Sequence, residues 1–101
     1  FEATARLAES SCLKMHALML SSEPGLVYWN PGTLAAIHAV RALRASGTPV
    51  FFTIDAGPQL KAVCLPDAVD EVADVLGHVA GVERTMQCGL GDWARIADAG
   101  A

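Results

Sequence analysis

The stretch FFTIDAGPQLKAVC, from Phe51 to Cys64, constrains this chain more than any other. Two short runs rich in aromatic and β-branched residues flank Gly57 and Pro58, which is the composition of two extended segments joined at a turn. Side chains alternate across a strand, so Val50, Phe52 and Ile54 face one way and Phe51, Thr53 and Asp55 the other. After the turn, Leu60, Ala62 and Cys64 form one row and Lys61 and Val63 the opposite one. The pattern predicts an antiparallel hairpin whose connection, about Asp55 to Gln59, is longer than a tight two-residue turn. Gly57 takes backbone angles closed to other residues, and Pro58 stiffens the exit.

Asp55 stands where the first strand runs out. Two readings of it are open on residue type alone. Asp commonly bonds to the backbone amides of its own turn. Alternatively, a stiff hairpin presents the carboxylate to a cleft, where it accepts a proton or orients a hydroxyl.

The remaining chain reads as helices around this hairpin. Glu2 to about Ser21 contains good helix formers and neither Gly nor Pro. Its apolar residues include Leu7, Ala8, Cys12, Met15 and Met19, with Leu13, Leu18 and Leu20 in the second half, so that half is expected to pack between two layers. His16 within it reads as a core histidine, since no partners stand at ligand spacing. Pro24 and Gly25 break the chain, and Tyr28 and Trp29 form an anchor that permits a brief strand. Asn30 followed by Pro31 starts a second helix to about Ser46, with Leu34, Ile37, Val40 and Leu43 inward and Arg41 and Arg44 outward. Gly47 and Pro49 end it. A third helix is expected from Pro66 to about Ala80, its acidic residues gathered near the start where the helix dipole favours them. Val82 to Cys88 alternates like a third strand, and Trp93 to Ala97 reads as a short edge strand or a helical turn. The word CGLGD is spaced for a turn, not for a phosphate loop.

This order gives an α+β fold, a ferredoxin-like two-layer sandwich with a mainly antiparallel sheet and helices on one side, occupying 1–101 as one domain. The passage from Leu60 to Cys88 is a right-handed crossover whose two strands run parallel with another strand between them. At 101 residues the chain is large enough for one core and small for a complete two-substrate enzyme. A net charge of -4 with no basic stripe argues against nucleic acid or anionic membrane as a partner. No apolar run approaches the roughly 18 residues of a spanning helix, which predicts a soluble, cytoplasmic protein. Cys12, Cys64 and Cys88 lie far apart and form no CxxC pair, so they read as buried thiols in a reducing compartment.

FFTIDAGPQLKAVC, together with KMHALML at Lys14 to Leu20 and YWNPGTLAAIHAVRALRASGTPV at Tyr28 to Val50, resembles the C-terminal half of the diphosphomevalonate decarboxylases, within the GHMP kinase superfamily. The resemblance spans about Glu9 to Gly91. It implies that the Asp of the DAGP word, here Asp55, is the catalytic carboxylate beside the substrate's 3-hydroxyl, and that Met15 and His16 line the cleft. It implies an ATP-dependent conversion of mevalonate 5-diphosphate to isopentenyl diphosphate, with ATP and Mg2+ held by an N-terminal half that this chain lacks. The fragment alone is then expected to be inactive. Family members are often homodimers, although no residue here marks a contact surface. Ser11 departs from the family pattern, where Asn is expected. Alternatives are a phosphomevalonate decarboxylase or mevalonate 3-kinase on the same scaffold, or a noncatalytic ferredoxin-like binding module.

Overall fold

In the computed structural model, which describes residues 1–89, the hairpin forms as expected. Strand β1 (Val50–Thr53) pairs antiparallel with β2 (Lys61–Cys64), setting Val50 opposite Cys64, Phe51 opposite Val63, Phe52 opposite Ala62 and Thr53 opposite Lys61. Three helices surround it: α1 (Glu2–Leu20), α2 (Pro31–Ala45) and α3 (Val69–Gly77), the last preceded by a 3-10 turn at Pro66–Ala68.

The alternation along β1 organises the core. Val50, Phe52 and Ile54 are wholly buried against Ile37, Val40 and Leu43 of α2 and Val72 and Leu76 of α3. Each such side chain contributes about 1.5–3 kcal/mol relative to remaining exposed, so this face of the hairpin holds the two helices. On the opposite face Phe51 is shielded by the ring of Phe1, with centroids 5.5 Å apart, while its partner Val63 stays exposed.

Helix α2 begins as its sequence dictates. The Asn30 side chain accepts from the Thr33 amide at 2.9 Å, and the Thr33 hydroxyl accepts from the Asn30 amide at 3.2 Å, a reciprocal cap that satisfies two otherwise free donors. Leu34 differs from its expected place and is exposed, because the buried side of the first turn is taken by Gly32, Thr33 and Ala36.

Helix α1 departs most from the sequence-based expectation. Its buried stripe is Ala5, Glu9, Cys12 and His16, while Leu7 and Leu18 are exposed. The physical reason is what the helix covers. In an antiparallel pair, alternate residues direct their amides away from the partner strand, and at Phe52 and Ile54 those groups meet α1. The Phe52 amide donates to Glu9 Oε2 at 3.1 Å and the Ile54 amide to Cys12 Sγ at 3.3 Å, while the Ile54 carbonyl accepts from His16 Nε2 at 2.9 Å. A helix laid on a strand edge must bring hydrogen-bonding groups to it, since buried backbone groups without partners are costly. The second apolar layer expected over the second half of α1 is absent among the described residues, where Leu18 and Leu20 are exposed.

The alternating segment Val82 to Cys88 forms no strand, and Tyr28 and Trp29 form none either. A strand exists only by pairing, and the described sheet has two strands, one of whose outer edges is occupied by α1. Trp93 to Ala97 lies outside the described residues. Cys12 is buried and Cys64 half-buried, with burial raising the Cys64 thiol above its ordinary range, but Cys88 is exposed, contrary to expectation. No helix among the described residues is long and apolar enough to cross a membrane.

Candidate active site around Asp55

Asp55 follows Ile54, the last core residue of the β1 run, so its backbone is anchored while its side chain, 72% exposed, projects outward. Lys61 stands opposite Thr53 in the hairpin register, on the same sheet face as Asp55, and its Nζ lies 2.6 Å from Asp55 Oδ2. Among the described residues Lys61 is the hydrogen-bond partner of this carboxylate, and no amide of its own turn reaches it. The Lys61 hydrogen bond, reinforced by its charge and by His16, holds the Asp55 carboxyl below the usual carboxylate range, against a smaller opposing effect of desolvation. Asp55 is therefore ionised at neutral pH and is a weak base, with one oxygen engaged and one free for a further donor.

The loop bearing Asp55 is fastened on both sides. Before it, Ile54 is held by His16 and Cys12 of α1. Beyond it, the Thr33 hydroxyl at the start of α2 donates to the Pro58 carbonyl at 2.8 Å. Between these points Gly57 adopts φ +117°, a conformation that L side chains rarely take.

The structure brings His16 to the backbone beside Asp55 and leaves Met15 on the surface. His16 is 2% exposed, lies against Trp29 with ring centroids 4.9 Å apart, and meets Tyr28 edge-on at 6.2 Å. Its bond to a carbonyl requires the proton on Nε2, and the ring is enclosed by protein, as the core reading expects. Met15 is 40% exposed.

Sequence reasoning missed Lys61, Glu9 and Thr33. Lys61 joins the Asp55 face through the register that sets it opposite Thr53, which a connection of unsettled turn type does not specify. Glu9, Cys12 and His16 recur at helical spacing, but that spacing signals an edge cap only once the edge is known. Glu9 also pairs with Arg44, whose guanidinium is held above its ordinary range chiefly by the Glu9 hydrogen bond, with Glu2 adding at 3.2 Å.

Among the described residues no group of three His, Cys, Asp or Glu side chains converges as a metal site would require. Asp55 is a single carboxylate already paired with a cation. These residues do not fit a magnesium site.

A three-helix α+β arrangement over a two-stranded antiparallel hairpin matches the C-terminal domain of GHMP kinase-like decarboxylases. No family model matches the chain. It is 35% identical to the phosphomevalonate decarboxylase of Haloferax volcanii over 99 residues, which cover 97% of this chain and 30% of that protein. Among solved structures, mevalonate pyrophosphate decarboxylase from Streptococcus pyogenes matches with a TM-score of 0.70 at 36% identity, covering 75% of this chain and 24% of the other. The mevalonate diphosphate decarboxylase from Enterococcus faecalis, described with a mevalonate diphosphate mediated ATP binding mechanism, matches with a TM-score of 0.67 at 36% identity, covering 76% and 25%. A further match, also with a TM-score of 0.67, 36% identity and coverage of 76% and 25%, is a complex with MVAPP, AMPPCP and magnesium. The chain is similar to one part of the mevalonate-type decarboxylases, and spans about 30% of the length of the curated relative it matches.

Proposed function

We propose that this chain is the C-terminal part of an ATP-dependent decarboxylase that converts mevalonate 5-diphosphate to isopentenyl diphosphate, with Asp55 as its catalytic carboxylate. The observation that carries the reading is an ionised carboxylate, free of its own turn, on a loop held by two helices. The similarity to decarboxylases supports the substrate class.

The 3-hydroxyl oxygen attacks the γ-phosphorus of ATP and ADP departs. Asp55 accepts a hydrogen bond from that hydroxyl, aligns the oxygen and takes its proton. Phosphoryl transfer depends mostly on position and charge, with little need for a strong base, so a depressed Asp55 suits an orienting acceptor. The phosphorylated oxygen then leaves as phosphate while the bond to the carboxylate carbon breaks, and its electron pair forms the alkene as carbon dioxide departs. The nucleotide, its magnesium and the substrate phosphates would be bound by the remainder of the protein, so the 101-residue chain alone is inactive. Met15, on the surface one residue from His16, would meet the cleft wall that the remainder supplies. Free thiols and a small phosphorylated substrate suit a cytoplasmic protein.

A second reading is favoured by the Haloferax relative: the same chemistry on mevalonate 5-phosphate. Assaying the full-length protein on both substrates, with ADP and carbon dioxide followed separately, distinguishes them; ADP without carbon dioxide marks a 3-kinase. In the same assay Asp55→Asn is expected to reduce turnover about 10²- to 10⁴-fold. Near-normal turnover by a folded Asp55→Asn protein refutes the assignment.

A further inference from the structure

We propose that His16 and Thr33 are positioning residues for the Asp55 carboxylate, gripping the backbone on either side of it from two different helices. The inference rests on Asp55 being the catalytic carboxylate. His16 Nε2 lies 2.9 Å from the carbonyl of Ile54, the residue directly before Asp55, and the bond is buried. Thr33 Oγ1 lies 2.8 Å from the carbonyl of Pro58, three residues after it. Neither contact belongs to a helix or a strand ladder; both are side chains reaching a loop 38 and 25 residues away in sequence.

Their joint effect is to shorten the free part of the loop. Without Thr33 the connection is unsupported from Asp55 to Gln59, since Leu60 packs against the core and β2 begins at Lys61. With it, the unsupported stretch is Asp55 to Gly57. Asp55 has little else to fix it, since its side chain is 72% exposed and its ion pair joins two solvated groups. Displacement of a reacting group by 1 Å costs about 10²-fold in rate, and a carboxylate on a loop held at one end has that freedom.

Thr33 also closes the α2 cap, so its test must separate the two roles. In the full-length protein, turnover and KM for ATP and for mevalonate 5-diphosphate are measured alongside melting temperature for Thr33→Val, Thr33→Ser and Asn30→Ala. Asn30→Ala removes the cap acceptor and leaves the Thr33 hydroxyl free to bond Pro58. Thr33→Val is expected to lower kcat about tenfold or more with both KM values nearly unchanged. Thr33→Ser should restore kcat, and Asn30→Ala should lower the melting temperature while keeping kcat. His16→Gln, whose amide can donate to Ile54, should exceed His16→Phe in kcat. Equal kcat for Thr33→Val and Asn30→Ala, or for the two His16 variants, overturns the proposal. Asp55→Asn run in parallel separates the failures: an active Asp55→Asn protein refutes the catalytic carboxylate, whereas an inactive one with fully active Thr33→Val refutes only the positioning.

Discussion

Replacing Glu9 tests how the sheet edge is sealed. Glu9 is 9% exposed and accepts from the buried Phe52 amide at 3.1 Å while pairing with Arg44. Glu9→Ala removes a hydrogen bond to a charged acceptor and leaves that amide unsatisfied, a combined cost of about 3 kcal/mol. Glu9→Gln keeps an acceptor oxygen for Phe52 and loses the charge opposite Arg44. Arg44 is partly exposed and retains Glu2, so that loss is about 1 kcal/mol or less. Urea unfolding of the chain, with a slope of about 1–3 kcal/mol per molar, should place the Ala midpoint about 1–3 M lower and the Gln midpoint much less so. Hydrogen exchange supplies the local check, because the Phe52 amide should lose protection in the Ala variant before the core amides do. Equal midpoints for Ala and Gln, or a Phe52 amide that exchanges freely in the unmodified chain, would refute the edge-sealing role.

Two other outcomes follow from the same geometry. Lys61 holds the Asp55 carboxyl below its ordinary range, so the pair's stabilising effect is present above the unfolded carboxyl pKa and is lost as pH falls through the lower folded value. The acid limb of the full-length enzyme's pH-rate profile should therefore move to higher pH in Lys61→Met, and an unmoved limb would separate Lys61 from the Asp55 titration. Gly47 and Gly81 both have positive φ, at 103° and 90°. An added Cβ meets nothing at Gly47 but lies 2.9 Å from the Gly32 Cα at Gly81. Gly47→Ala should cost about 1–2 kcal/mol for conformation alone and Gly81→Ala clearly more, as thermal unfolding would show; equal costs would refute the close crossing.

The parts of the site legible in the sequence are those governed by local chemistry. The period of the β1 residues fixed which side chains enter the core, and it placed Asp55 at the point where the strand leaves it. The ion pair with Lys61 depended on strand register, which a connection of unsettled turn type left open. The two grips on the loop depended on contacts 25 and 38 residues apart in sequence.

Local rules determined the hairpin, the Asn30 and Pro31 start of α2 and its stop at Gly47, because caps, turns and alternation involve neighbours a few residues apart. Tertiary structure decided which face of α1 turned inward. That helix offers apolar residues on several sides, and the winning face was the one with hydrogen-bonding groups for the bare backbone of β1. It decided against a strand at Val82 to Cys88 for a related reason: alternation describes a strand's two faces, but only a neighbouring chain segment can satisfy its edges.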